Sequence, residues 1–306
     1  MSGDPRVSLA PQMVEAYQCA LRARCLPTWL AFIGQGGEEH ARYAETAGYQ
    51  RTCWALREER AILSTVAGSA RVGMGFCDVG SGTGRHAVRL LSGTRLCQVT
   101  ESYLALDANP WLAEQAKSNV SAACGLRTMS GSWNFELTAT DLIRMWRQSI
   151  GRDAMVVLGL LGVTIGGSPN HHDVLRNLSR SSVPGDHLII TTRSGPATER
   201  ELRKYNSPSF LRGSLSRLGR LGLDTTVVDM EVVIEGNAFV GYFRLRRPME
   251  LLGVRLDRAE SIQFFYSARL AESAFLEMAA RAGWECCRRA YSANGILVAL
   301  LVASSR

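Results

Sequence analysis

No apolar run in the 306-residue chain approaches the roughly 20 residues that a bilayer-spanning helix requires. The longest, at 154–163 and 296–303, reach half that length or less, so a membrane partner is not expected. The first ten residues contain Asp4, Pro5 and Arg6 and no apolar stretch of signal-peptide length, which predicts a cytoplasmic protein. No two of the eight cysteines form a C-x-x-C pair, and the five histidines include one adjacent pair, His171 and His172, without further ligands nearby in sequence. Free thiols and no metal site are therefore expected. Lysine is almost missing, with Lys117 and Lys204 against thirty-three arginines. The net charge of +7 is spread along the chain rather than gathered into a basic block interleaved with aromatics, so nucleic acid is not the expected partner. Low-complexity tracts are absent too. With 46% hydrophobic and 21% charged residues, the chain has the composition of an ordinary folded protein of one large or two modest domains.

Apolar residues at helical spacing over 13–25 and 58–66 predict a helical N-terminal region, 1–70, interrupted at 27–37. A different grammar begins at Gly75. Phe76 to Val79 is a short apolar strand that runs into Gly80-Ser81-Gly82-Thr83-Gly84, and 85–91 is helical. Strands are expected at 103–106, 155–162 and 187–192, with helices at 111–124 and 172–178. This alternation predicts an α/β fold: a Rossmann-like, mostly parallel sheet with helices on both faces over 71–193. From 194 to 270 the alternation stops. Two strands with period-2 patterning, 225–234 and 238–246, flank the turn Glu235-Gly236-Asn237 and predict an antiparallel α+β insertion. A helix at 272–282 and a strand at 295–302 then return to the first sheet, within 271–306.

The chemistry concentrates in the glycine-rich turn. Glycines between a strand and a helix N-terminus let a ligand approach backbone N–H groups at the positive end of the helix dipole. Asp107 lies 23 residues beyond Gly84, the separation expected of an acid at the end of the next strand that reaches a ribose hydroxyl pair. Asp78 separates two cofactor classes. A dinucleotide places its pyrophosphate on this turn, where a carboxylate repels it, whereas a sulfonium cation is attracted. The expected cofactor is S-adenosylmethionine, held by Asp78, Gly80, Ser81, Gly82, Gly84, Arg85 and Asp107.

The segment 78–84 with Asp107 resembles the first motif of class I S-adenosylmethionine-dependent methyltransferases. Four further segments are similar to the histidine Nα-methyltransferase family of ergothioneine biosynthesis and its indole-alkaloid methyltransferase relatives. They are Pro27-Thr28-Trp29-Leu30, Arg57-Glu58-Glu59-Arg60-Ala61-Ile62-Leu63, Gly162-Val163-Thr164-Ile165-Gly166-Gly167 and Lys204-Tyr205-Asn206-Ser207-Pro208, in the family's order. The resemblance implies that the 194–270 insertion is a substrate domain, with the helical N-terminal region contributing to its pocket. It adds Gly162 and the possible adenine contact Trp133 to the cofactor set, although Ser132 replaces the acid usual there.

The chain departs from that family where the family binds its amino acid. Ala31 stands where the family has tyrosine, Gly167 where it has asparagine, Gly241 where it has methionine, and Phe265 where a glutamate anchors the amino group; Ser267 is retained. These changes predict a larger, more apolar pocket. Trp54, Phe264, Phe265 and Tyr266 are candidates to stack on a ring, or they pack as core. Tyr205 and Tyr266 are the residues that can hydrogen-bond an acceptor atom. The expected function is N- or C-methylation of an aromatic, amino-acid-derived small molecule such as an indole alkaloid or cyclic dipeptide, by a monomer or homodimer. Nα-methylation of free histidine or tryptophan, and a metabolite-binding module without catalysis, are the alternatives.

Overall fold

The structure, a computed structural model, describes residues 11–69, 73–151 and 154–304. The expectation about the leader, on residues 1–10, lies outside the described residues, as does residue 70 at the first expected boundary. The described chain opens with α1 (Pro11–Arg22), α2 (Gln35–Ala44), α3 (Ala47–Cys53) and α4 (Leu56–Ser69). It then alternates through β1 (Met74–Val79), α5 (Arg85–Leu91), α6 (Arg95–Val99), β2 (Thr100–Asp107), α7 (Pro110–Cys124), β3 (Arg127–Ser132), α8 (Leu142–Ile150), β4 (Met155–Leu160), α9 (His171–Ser181) and β5 (His187–Arg193). Next come α10 (Glu199–Tyr205), α11 (Pro208–Arg220), β6 (Val228–Glu235), β7 (Ala238–Leu245), β8 (Met249–Leu251), β9 (Val254–Leu256) and β10 (Ser261–Ala268). The last elements are α12 (Glu272–Arg281), β11 (Trp284–Tyr291) and β12 (Ile296–Ala303).

Two compact units result, one built from Gly37–Gly195 with the chain from Leu270 onward, the other from the residues up to Gly36 with Pro196–Arg269. Within the helical region expected as one piece over 1–70, α1 falls in the second unit and α3 and α4 in the first, while α2 begins in the second and continues in the first.

The first unit holds a seven-stranded sheet in the order β11-β12-β5-β4-β1-β2-β3. Strands β3, β2, β1, β4 and β5 are parallel, and β12 runs antiparallel to both β5 and β11. The expected Rossmann-like α/β fold is present. Its far edge differs from the dinucleotide-binding order 3-2-1-4-5-6, because the last strand of the chain inserts before the penultimate one. Strand β1 is buried along its whole length because alternate residues serve opposite cores. Met74 and Phe76 pack with Leu63 of α4, Leu90 of α5 and Val120 of α7. Cys77 and Val79 pack on the other face, in the core that holds Trp146 of α8, Leu175 of α9 and Phe275 of α12. Helix α7 shows why such elements begin and end where they do: Asn109 accepts the Trp111 N–H at 3.0 Å, Pro110 opens the first turn, and Gly125 ends the helix at φ 66°.

Several elements escape a reading of periodicity. Edge strand β3, Arg-Thr-Met-Ser-Gly-Ser, carries little apolar signal because its side chains are half exposed. Edge strand β11 is similar, with two arginines after two cysteines. The strand expected over 155–162 stops at Leu160, and the chain turns through Gly162 at φ 70° and Val163 at φ 58°.

In the second unit β6 and β10 pair antiparallel on either side of β7, so the expected hairpin is two thirds of a three-stranded sheet. Strand β6 starts at Val228 rather than 225 because Asp224 caps a 3₁₀ turn over Thr225–Val227. Its core gathers Leu21 of α1, Leu30, Leu218 of α11, Phe243 of β7 and Ile262 of β10.

Candidate active site

Strand order reverses at β1, which has β2 on one side and β4 on the other. Ligands of open α/β sheets bind at such a switch point, beyond the carboxyl ends of the strands. There the glycine turn after β1 and the turn after β4 line an open pocket, with α2, α3 and the start of α5 supplying the remaining wall. Its empty space, open solvent included, is about 530 Å³.

The loop conformation requires its glycines. Gly80, Gly82 and Gly84 have φ of 64°, 53° and 71°, a region that β-carbon-bearing residues disfavour. The three do different work. Gly80 and Gly82 line the pocket, and nothing lies within 4 Å of a β-carbon placed on Gly82, so its backbone is open to a ligand. Gly84 is a packing glycine: a β-carbon there would stand 2.8 Å from Ala116 Cα of α7.

Two buried carboxylates frame the loop. Asp107 Oδ2 accepts the Gly82 N–H at 2.9 Å and Oδ1 accepts the Asn109 N–H at 2.9 Å. Each oxygen keeps a second lone pair for a hydroxyl donor. Burial pushes the Asp107 carboxyl up to about 6, against the lowering by those N–H groups. Asp78 lines the pocket and accepts the Tyr103 hydroxyl at 2.8 Å on Oδ2. Burial also pushes this carboxyl up to about 6; the Tyr103 bond and His86 oppose the rise, while Asp107 and Glu59 add to it. The Ser81 hydroxyl is buried in the same wall without a hydrogen-bond partner among the described residues.

Arg85 lines the rim and pairs with Glu45 at 3.0 Å, and Gly162 and Trp54 also line the pocket. Trp133 is not among the lining residues; it is buried in the core with Nε1 donating to the Thr138 carbonyl at 2.8 Å. Gly167, at the end of the 3₁₀ turn Thr164–Gly167, is not among the lining residues. Sequence reasoning missed Tyr49, Glu59, His86 and Thr164. Glu59 carried a signal, since it falls on the stripe of Ala55, Ile62, Leu63 and Val66 that buries α4, and it is fully buried.

Solved structures align with this chain over most of its length. One is an S-adenosylmethionine-dependent methyltransferase from Clostridium acetobutylicum, 13% identical, with 88% of this chain and 99% of that one aligned at a TM-score of 0.49. Another is the 1,6-didemethyltoxoflavin-N1-methyltransferase of Burkholderia thailandensis, with bound 1,6-didemethyltoxoflavin and S-adenosylhomocysteine. It is 11% identical, with coverages of 98% and 93% and a TM-score of 0.48. The magnesium protoporphyrin IX methyltransferase of Synechocystis is 13% identical, with coverages of 90% and 97% and a TM-score of 0.45. No family model matches the chain, and no curated protein matches its sequence.

The other residues expected to bind or act on substrate lie in the second unit. Tyr205 packs within 4.8 to 5.3 Å, ring to ring, of Phe210, Phe239 and Phe265. Its hydroxyl lies 3.4 Å from Ser267 Oγ, which also accepts from Arg269 Nη1 at 3.3 Å. Arg269 is buried, pairs with Glu201 at 2.9 Å and lies over the Phe239 ring. Ala31 belongs to the 3₁₀ turn Thr28–Phe32, and Tyr266 sits on β10, its hydroxyl pushed up by burial. At Gly241 the expected extra room is absent: a β-carbon there would meet Phe264 Cζ at 2.8 Å and Phe265 Cβ at 2.9 Å, so aromatic rings already fill the space.

Proposed function

We propose that the chain is an S-adenosylmethionine-dependent methyltransferase acting on an aromatic, amino-acid-derived small molecule. The observation that carries this reading is the buried Asp78 carboxylate on the wall of a glycine-loop pocket. At neutral pH it repels the pyrophosphate of a dinucleotide and attracts a cation. Asp107 suits a ribose diol, Gly82 leaves room for close approach to the backbone, and Ser81 offers an unused hydroxyl. Together these residues fit a cationic nucleoside. When bound, S-adenosylmethionine supplies a methyl group on a positively charged sulfur. The chain's contribution is then to hold it, orient the acceptor and exclude water, since alignment supplies much of the acceleration in an in-line displacement.

The second unit supports a ring-bearing acceptor. Phe265, at the position of the family's amine-binding glutamate, packs between Tyr205 and Phe210, an apolar setting in which an unpaired ammonium costs several kcal/mol. That favours a ring-bearing acceptor whose α-amine is blocked over free histidine or tryptophan.

Calorimetric titration with S-adenosylmethionine and, separately, NADH tests the cofactor. Binding of the first alone, weakened at least tenfold in Asp107→Ala by loss of a buried hydrogen-bond partner, is the expected result. Binding of NADH alone overturns the reading. A product screen with indole alkaloids, cyclic dipeptides and free aromatic amino acids then tests the acceptor, and turnover of free amino acids alone overturns that part.

A further inference from the structure

Beside Asp78 the pocket wall holds a second set of polar groups to which no role has been given. His86, in the first turn of α5, places Nε2 2.7 Å from Glu59 Oε2. Glu59 is fully buried, and its other oxygen accepts the Ala55 N–H at 3.2 Å, which fixes the carboxylate in place. Trp54 stacks on the imidazole at 4.7 Å between ring centres and 22° between planes. The opposite ring nitrogen, Nδ1, has no hydrogen-bond partner among the described residues. It lies 4.0 Å from the place of a β-carbon on Gly162, where the Tyr49 hydroxyl and Thr164 Oγ1 also converge at 3.8 Å. His86, Trp54, Tyr49, Gly162 and Thr164 line the pocket that holds Asp78 and Gly82, and Glu59 stands behind His86.

We infer that His86 is the general base of the reaction, oriented by Glu59, and that the acceptor carries a proton on nitrogen or oxygen which it must lose. This rests on the methyltransferase reading. A carboxylate accepting from Nε2–H fixes the tautomer and leaves the Nδ1 lone pair facing the pocket, the arrangement that a histidine base needs. In the step assigned to it, the acceptor's lone pair forms the bond to the methyl carbon. The carbon–sulfur bond breaks with its electron pair kept by sulfur, which becomes neutral. The acceptor's proton passes to Nδ1 and afterwards to solvent. Glu59 and the Trp54 face stabilise the transient imidazolium. Tyr205 and Tyr266, the acid–base candidates named from sequence, belong to the other unit, whereas His86 shares a pocket wall with the cofactor loop.

The experiment is nitrogen-15 NMR of the full-length protein, labelled at histidine, with His86 assigned by comparison with His86→Asn. In the free protein the expected tautomer has hydrogen on Nε2 and none on Nδ1; hydrogen on Nδ1 overturns the proposal. In Glu59→Gln the carboxamide can donate to Nε2, so the other tautomer becomes populated, as a positioning role requires; an unchanged tautomer overturns that role. Addition of S-adenosylmethionine is expected to move the Nδ1 resonance differently from S-adenosylhomocysteine, which lacks the positive charge. Identical shifts place His86 away from the reacting methyl and overturn its role as base. If neither ligand binds, the methyltransferase reading has failed, while the tautomer results still report on the dyad by itself. With an acceptor from the screen, His86→Asn is expected to lower kcat by roughly 10² to 10⁴ while S-adenosylmethionine still binds. Retained kcat overturns the assignment.

Discussion

The Tyr103 hydroxyl, itself fully buried on β2, donates to Asp78 Oδ2 at the end of neighbouring β1. This bond is the main hydrogen-bonded restraint on a carboxylate whose burial raises it to about 6, and it ties the cofactor loop to the interior of the sheet. Its removal in Tyr103→Phe takes away a lowering influence, so the Asp78 carboxyl should titrate at still higher pH. The pH dependence of S-adenosylmethionine binding, followed by calorimetry, should move upward in this variant. The lost buried hydrogen bond should also cost about 1–3 kcal/mol of stability.

Ligand affinity itself should depend on pH. A cation prefers ionised Asp78, so binding strengthens as pH rises through about 6 and levels off above it. For one group titrating at that point, the affinity for S-adenosylmethionine at pH 5 is about tenfold below that at pH 7, with a proton released on binding. Asp107, also near 6, adds to the slope. Titration across this range in Asp78→Asn should show weaker binding and only the Asp107 contribution; an unaltered profile would remove Asp78 from the binding site.

The same carboxylate should cost the free protein stability. An acid whose folded value is raised from 3.8 to about 6 contributes stability below 3.8 and loses it as pH rises through 6. At pH 7, Asp78→Asn should therefore raise the unfolding free energy by about 1–2 kcal/mol, since the amide oxygen still accepts from Tyr103. The gain should disappear near pH 4. Urea unfolding at the two pH values is the measurement.

Two glycines of the loop should separate binding from folding. Gly84→Ala sets a β-carbon 2.8 Å from Ala116 Cα at φ 71°, so the α5–α7 contact must open; a loss of at least about 2 kcal/mol is expected in urea unfolding. Gly82→Ala meets nothing within 4 Å and carries only the backbone strain, about 1 kcal/mol, but its methyl group fills the ligand's approach. It should stay folded and lose S-adenosylmethionine in calorimetry.

Tyr205 should behave as a packing residue of its own unit. Tyr205→Phe loses only a 3.4 Å contact with Ser267 and should change stability little, whereas Tyr205→Ala removes a half-buried ring from among Phe210, Phe239 and Phe265 at a cost of about 1–3 kcal/mol. Neither should alter S-adenosylmethionine affinity, as thermal unfolding with and without the ligand will report.

The strand–glycine–helix unit at 74–91, helix α7 and strand β5 were legible from sequence because their signals are local: apolar runs, helical spacing and glycines at the turn. Asp78 and Asp107 were legible as positions because each falls at the carboxyl end of a strand in the alternating pattern, β1 and β2. Strands β3 and β11 were not, because an edge strand buries too little to impose a pattern. The tertiary structure alone decided that Glu59 meets His86 across 27 residues, that Gly84 packs against Ala116 of α7, and that aromatic rings close the room expected at Gly241. These are contacts between elements, set by how the helices and strands pack, and no spacing along the chain encodes which side chains face one another.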